Sequence, residues 1–471
     1  MRMRIPLVGQ HGENRSVNVN TQKLVNLFTQ IESDGAKTEL SLHSTPGLDL
    51  IGAAGSGPCR SKGLRWSGNT YFVSGGSLIK IDDSGTVTNV GSIATSSGNV
   101  SMAPGPSHFM LVDGTDGWTY DGTTLTKITD GDFTPLSPTH CAYIDGYFVV
   151  NDNGTGSFYL SALNDATSWD PADTATAESN PDDLTALIAT HRELWLFGSQ
   201  ASEIWFNSGN ADFPFEIYRG GAIEWGIQAP HSLAKADRTL FWLSQNQEGA
   251  NMILAARGAN PVVISTRDIE TQISKITTTS DAVGWTYQQE GHTFYVLSFP
   301  SGDKTFVYDV SSSMWHTRKS YGIGRWRAFG ASNIGNIHYT GDYSTGQFYR
   351  MKLDTYSENG AVLERTRVTQ MLHKDRNRLR IDRLELDIET GVGTVVGQGV
   401  NPQIAMDYSR DGGHTWSSSK FRSLGAIGEY GTRVIWLALG IGRDWVFRFT
   451  VTDPVKVTML GGYADITVCR P

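Results

Sequence analysis

The feature that most constrains this chain is a short unit seen most clearly at Gly291–Trp315 (GHTFYVLSFPSGDKTFVYDVSSSMW). It opens with an apolar run, His292–Leu297, rich in the aromatic and β-branched residues that suit a pleated strand. Ser301-Gly302-Asp303 turns the chain into a second strand, Lys304–Val310, and the polar Ser311-Ser312-Ser313 turn delivers Trp315 onto a third. The unit predicts an antiparallel sheet of three or four strands. A sheet this small cannot cover its own apolar face and needs neighbours of the same kind.

The neighbours recur along the chain. Apolar strands preceded by a turn occur at Thr70–Val73, His108–Val112, Gly146–Val150, Glu193–Phe197, Thr239–Leu243 and Thr293–Leu297, with a weaker copy at Asn336–Tyr339. Their spacing, roughly 38 to 54 residues, is the period of propeller blades. Second strands follow at Ser77–Ile81, Gly117–Tyr120, Ser157–Leu160, Glu203–Phe206 and Gln347–Arg350. The expected fold class is all-β: a seven-bladed β-propeller over residues 55–354, with paired sandwiches as the structural alternative. At 471 residues, one ordinary core would be too large unless built from such repeats. The 52 glycines and 49 aromatic residues (13 Trp, 17 Tyr and 19 Phe) fit many turns joining short aromatic strands.

The flanks read differently. Residues 1–54 are polar, with Asn14, Asn18 and Asn20 at turns, a short apolar segment Leu24–Phe28, and Ser44-Thr45-Pro46-Gly47-Leu48. They predict an extended arm lying on the body. Asp354–Gly360 (DTYSENG) reads as a polar linker. Beyond it, longer alternating strands at Leu363–Leu372, Leu379–Ile388, Gln403–Tyr408, Arg433–Leu439, Trp445–Val451 and Val455–Leu460 predict a C-terminal β-sandwich over 361–471.

A net charge of −9 excludes a general nucleic-acid binder, though not a local basic patch. Cys59, Cys141 and Cys469 are odd in number, far apart and without metal-ligand or CxxC spacing, so reduced thiols are expected. Met1–Pro6 carries charge without a following apolar region, which argues against a signal peptide. No apolar run approaches the ~20 residues of a membrane helix. A soluble product made in the cytosol is expected.

Catalytic patterns are sparse. There is no HExxH, GxSxG or Walker loop, and no glycine-rich phosphate cradle after a strand. Gly75-Gly76 and Gly220-Gly221 read as turns, and His191, His231 and His292 as strand-edge residues. The acidic loop Ala177–Asp183, with Glu178, Asp182 and Asp183, could place paired carboxylates for glycoside cleavage, but a solvated loop is the simpler reading. Neither catalytic residues, metal ligands nor a cofactor are assigned.

Two segments could carry contacts. Lys374–Arg383 is the one dense basic cluster; in strand geometry Arg376, Arg378 and Arg380 share a face, with Arg383 following. Such a face could meet DNA or an acidic partner, or lie solvated and partly paired with Asp375 and Asp382. Ser409–Trp416 fits S-x-D-x-G-x-T-W through Ser409, Asp411, Gly413, Thr415 and Trp416. It resembles the Asp-box of sialidases. Physically it is a hairpin whose Asp accepts loop N–H groups, whose Gly permits positive φ, and whose Trp packs beneath.

The chain as a whole resembles the tail hub, or nozzle, proteins of short-tailed phages, also described as packaged-DNA stabilisation or head-completion proteins. The resemblance rests on three segments. The first is Asn20–Phe28 followed by Ser44–Leu48. The second is Ala177–Asp182 followed by Leu194–Ser199 and Glu203-Ile204, where the last pair is inverted relative to the family pattern. The third is Val307–Ser313 followed by Trp315. It implies a non-enzymatic virion component, made in the bacterial host cytoplasm and forming a hexameric ring. Its implied partners are the portal-adaptor (head-to-tail connector) protein, tailspikes or tail fibres, a plug or needle, and genomic double-stranded DNA passing through the channel, with no membrane anchor. An acidic or neutral lining would let DNA slide, whereas a basic one would hold it by its phosphates. The alternatives are a propeller glycan hydrolase or glycan-binding tail protein, suggested by the Asp-box and the aromatics, and a cellular propeller interaction module. A sialidase-like enzyme would need an arginine triad, a Tyr/Glu pair and several Asp-boxes, and only one box is present.

Overall fold

The computed structural model describes residues 1–177, 180–246 and 248–469. Among them, helix is confined to a 3-10 turn at Pro230–Ser232 and an α-helix at Arg267–Ile273; the other ordered elements are strands.

Five sheets are separate four-strand antiparallel meanders. Their first and last strands are Leu64–Trp66 to Val87–Ser92, Ser101–Pro104 to Leu125–Lys127, Cys141–Ile144 to Asp165–Thr176, Ala186–Thr190 to Phe215–Ile223, and Ala234–Ala236 to Pro261–Val263. Two more meanders lie inside larger sheets: Val283–Gln289 to Met314–Thr317, and Ala328–Ile334, Ile337–Asp342 and Gln347–Lys352 completed by Gly47–Ala53 from the N-terminal region. Aromatic rings join successive meanders: Trp66 to Phe109 (5.4 Å between centroids), Phe158 to Trp205 (5.1 Å), Phe197 to Trp242 (5.3 Å) and Phe241 to Tyr295 (5.1 Å). Phe72 and Phe348, 5.6 Å apart, bring the first and last into contact. Each buried ring stabilises the packing by roughly 1.5–3 kcal/mol.

The recurring apolar run is the second strand of each meander, not its first. In the unit at Gly291–Trp315 the run is His292–Phe299, and Val283–Gln289 precedes it as the missing partner. Tight turns connect first to second strands. Ser67-Gly68, Asp145-Gly146 and Glu290-Gly291 hold positive φ at both turn residues, the geometry that matches strand twist in two-residue hairpins. His191-Arg192 adopts the same form without glycine, with φ 50° and 65°.

The N-terminal 54 residues are woven into the body. Arg2–Ile5 pairs with Thr458–Cys469, and Leu27–Ile31 and Leu40–Ser44 extend the same sheet, which continues through Arg378–Ile388 to Val434–Gly442. Thr21–Val25 lies between Met314–Thr317 and Arg365–Val368, so one sheet runs from a propeller meander into the C-terminal region. That sheet continues through Val446–Val451 and Gln403–Ser409 to Lys420–Ser423, a strand the alternation did not reveal. The two sheets enclose a core in which Ile5, Leu7, Leu24, Leu27 and Leu42 pack with Leu384, Trp436, Trp445 and Phe449.

Two expectations need correction. The polar stretch Asp354–Gly360 is a packed crossing, not a loose linker: Ser357–Glu358 pairs in parallel with Gly47–Ala53. Glu358 is fully buried, accepts from the Trp326 indole (2.9 Å) and lies 3.8 Å from the Arg318 guanidinium. The last strand begins later and runs longer than Val455–Leu460, at Thr458–Cys469.

Candidate functional site

The Asp-box residues form a hairpin between Gln403–Ser409 and Lys420–Ser423, which pair antiparallel, and its backbone is bridged to Asp444, whose carbonyl accepts the Gly412 N–H at 2.9 Å. Asp411 accepts the Thr415 N–H (2.9 Å) and the Thr415 and Ser409 hydroxyls (both 2.6 Å). Ser409 Oγ accepts the Gly413 N–H at 2.7 Å, and Gly413 takes φ 101°. Partial burial works against the Asp411 carboxylate, but these hydrogen bonds outweigh it and hold its pKa well below the usual range. Trp416 is half-buried with the Arg448 guanidinium 4.5 Å over its ring. The polar groups of the box are spent on the turn itself, which is what a structural hairpin requires.

The basic segment divides. Arg376 does not share the face of Arg378 and Arg380: Asp375 and Arg376 both take left-handed φ (49° and 58°) in a turn ahead of the strand Arg378–Ile388. Arg378 and Arg380 are exposed on that strand. Arg380 is paired with Asp382 at 2.8 Å. A bulge between Ile381 and Arg383 moves Arg383 out of simple alternation, and it pairs with Glu385 at 2.8 Å. Glu385 also takes Arg433 (2.7 Å) and Arg2 (3.1 Å), so one carboxylate gathers arginines from three strands or their flanks. Among the described residues, Arg376 and Arg378 have no hydrogen-bond or ion-pair partner, which leaves their charge available to another molecule.

The acidic loop is likewise structural where it is described. Glu178 and Ser179 lie outside the described residues. Asp182 accepts the Gln200 N–H (2.7 Å) and the Ser199 hydroxyl (3.2 Å). A Cβ on Gly198 would stand 2.5 Å from Asp182 Oδ1, so a larger residue there would displace the Asp182 carboxylate. The Asp182 and Gly198-Ser199 motifs are therefore two halves of one contact. His292 Nδ1 and Asp309 Oδ2 lie 2.8 Å apart, and Asp309 also accepts from Ser311 N and Ser312 Oγ, which accounts for the Asp-x-Ser-Ser pattern. Among the described residues, no group of three His, Cys, Asp or Glu side chains could hold a metal ion, and no helix is long and apolar enough to cross a membrane. Cys59 and Cys141 are buried free thiols.

Sequence reasoning missed the buried arginines. Arg318, Arg365 and Arg367 are 0% exposed. Arg318 donates to the Pro46 carbonyl (2.7 Å) and Arg365 to the Val455 carbonyl (2.8 Å). Arg367 donates to the carbonyls of Leu7 and Gln10 and to Gln22 Oε1. The available signal was Arg365-Thr366-Arg367 inside the alternating strand expected over Leu363–Leu372.

A protein family described as "Bacteriophage P22 Gp10, beta-propeller" matches residues 3–356, and one described as "Bacteriophage P22 Gp10, beta-sandwich" matches residues 364–467. No curated protein sequence matches the chain. Similar solved structures include a computationally designed protein, Ika8 (11% identity, 70% of this chain and 99% of that one, TM-score 0.39). The N-terminal domain of Nup159 (10%, 70% and 99%, 0.41) and the Neurospora crassa Pan2 WD40 domain (8%, 66% and 94%, 0.42) are others. At these scores the likenesses carry no argument about this chain.

Proposed function

The chain belongs to the bacteriophage P22 Gp10 family of phage structural proteins, and from that premise we propose that it forms the nozzle ring of a phage tail. In this reading a closed ring of copies sits below the portal and its adaptor, extends the DNA channel, retains the packaged genome and lets it pass on ejection. Its outer surface docks tailspikes or fibres and its lower end a plug or needle. Each four-strand meander counts as one blade, which makes the propeller seven-bladed. In this reading residues 55–354 form that propeller with its last blade completed by Gly47–Ala53, 361–471 form the sandwich, and the rest of the N-terminal arm, 1–54, ties the two together.

The observation that supports a rigid conduit is the sheet running from Met314–Thr317 through Thr21–Val25 into Arg365–Val368. Backbone hydrogen bonds cross from propeller to sandwich there, Arg367 reaches Gln22 and the Lys23 carbonyl of that strand, and Arg318 holds the Pro46 carbonyl further along. Two domains joined in this way resist hinge motion, unlike domains joined by a flexible linker. A conduit holding DNA under pressure needs that rigidity. Arg376 and Arg378 supply unpaired positive charge for an acidic neighbour in the assembly.

Electron microscopy of phage particles labelled with antibody against this chain tests the reading. Label at the lower tail, below the portal, is expected. Particles assembled without the chain are expected to lose their DNA after packaging. Label elsewhere, or particles that keep their genome without the chain, would overturn it.

A further inference from the structure

A cavity of about 250 Å³ lies where the first strands of the meanders converge. Its wall takes residues from successive meanders, including Ser101, Cys141, Ile188 and Thr286. The charged and titratable side chains on it are Lys62, His140, His231 and Lys235, with the Cys141 thiol, which burial pushes up to about 12. No carboxylate lines it. The wall is thus basic or neutral in a chain of net charge −9.

The groups inside are poorly satisfied. Lys62 Nζ donates to the Leu233 carbonyl, and no ion pair to its amine is formed among the described residues. Although the residue keeps partial exposure, its amine is enclosed, and burial lowers it to about 7. The His140 and His231 rings stack at 4.7 Å between centroids and 21° between planes. His140 is 5% exposed; its Nδ1 meets Thr139 Oγ1 at 3.1 Å, and its Nε2 forms no hydrogen bond. Burial first, and then the neighbouring His231 and Lys62, hold His140 well below its ordinary pKa, with the Pro230 carbonyl working weakly the other way. Lys235 is exposed at the rim, and burial of its amine lowers its pKa as well. A buried, unpartnered ring nitrogen beside an amine without a counter-ion is costly unless something occupies the space between.

We propose that this axial cavity binds a small inorganic oxyanion of the phosphate class, held by Lys62 Nζ and His140 Nε2. A tetrahedral oxyanion with a few waters fits the volume. It supplies the negative charge that Lys62 lacks and an acceptor for a protonated Nε2. Burial of the Lys62 amine and of His140 strengthens both contacts. The inference stands apart from the tail role, because every group is supplied by a single chain.

The test is calorimetric titration of the full-length protein with inorganic phosphate at constant ionic strength set by sodium chloride. Saturable binding is expected at pH 6, weakened at least tenfold at pH 9, where Lys62 is neutral. Lys62→Met and His140→Phe should each weaken it at least tenfold. If either variant fails to fold, phosphorus NMR of phosphate with the wild-type protein gives a second readout, line broadening that is reversed by excess sulfate but not by chloride. Absence of saturable binding, equal competition by chloride, or full affinity in a folded variant would overturn the proposal.

Discussion

The Nε of Arg367 donates to the carbonyl oxygen of Leu7 at 2.6 Å, across 360 positions of sequence. The guanidinium has no acidic partner among the described residues; burial lowers its pKa to about 9, which still leaves it charged near neutrality. Its donors are spent on the Leu7, Gln10 and Lys23 carbonyls and on Gln22 Oε1. A charged group is thus used as a multi-pronged clamp on N-terminal backbone, including the Leu7 and Gln10 carbonyls, which lie outside any strand.

Replacing Arg367 with Met should therefore cost about 3 kcal/mol, because several buried carbonyls lose their donor together. Chemical denaturation measures the loss, and limited proteolysis should show cleavage within residues 1–11 before the rest of the chain. A loss below about 1 kcal/mol would show that the clamp is dispensable.

Acid should weaken the fold through its buried histidines. His11 accepts the Leu24 N–H on Nδ1 (3.4 Å), and burial lowers its pKa to about 4. Burial likewise lowers His316 to about 3. Both folded values lie below the unfolded value of about 6.5. The neutral form is favoured by folding, so this stability is complete above pH 6.5 and is lost as pH falls towards the folded values. For His11 the difference amounts to about 3 kcal/mol once pH is below 4. Denaturant midpoints measured from pH 7.5 to 4 should fall steadily below 6.5, and His11→Gln should flatten that dependence.

The turn His191-Arg192 holds left-handed φ at 50° and 65° without glycine. Changing the pair to Asn-Gly should raise stability by about 1 kcal/mol by relieving that strain. The exposed pair of Arg192 with Asp145, at 3.1 Å, is lost in the exchange and contributes little. A rise in the thermal midpoint is the expected result, and a fall would show that the Arg192 contact matters more than the strain.

Asp411→Ala removes the acceptor for Thr415 N–H and two hydroxyls, and should destabilise the chain by about 1 kcal/mol. Because those bonds stay within one hairpin, the loss should appear as faster amide exchange at Thr415 and its neighbours, with the propeller unchanged. Global unfolding would contradict a local role.

Arg378→Glu should leave the stability of the isolated chain within about 0.5 kcal/mol, since the side chain is exposed and unpaired among the described residues. Incorporation into phage particles should drop. Equal incorporation would remove Arg378 from the contact surface.

The tight turns and second strands were legible because their information is local. Asp145-Gly146 and Glu290-Gly291 announce hairpins, and runs such as Phe294–Leu297 are buried wherever they lie. First strands such as Ala234–Ala236 are short and bear mixed side chains, so no periodicity marks them. The Asp-box was equally legible, since its bonds span only a few residues. Arg376 was misplaced because nothing in an Arg-Asn-Arg pattern shows that the chain turns left-handed before the strand starts.

Local pattern thus determined the all-β class, the blade-length repeat and the existence of a second β-domain after residue 360. Alternation and turn chemistry act over a few residues and survive any arrangement of the whole. The path of the first 54 residues was decided only by tertiary packing. Gly47–Ala53 completes a meander with Gln347–Lys352, and Thr21–Val25 joins two domains, because open sheet edges there offer unpaired backbone groups that must be satisfied. Arg318 and Arg367 are buried for the same reason. Their value depends on which carbonyls arrive from hundreds of residues away, and no local rule carries that information.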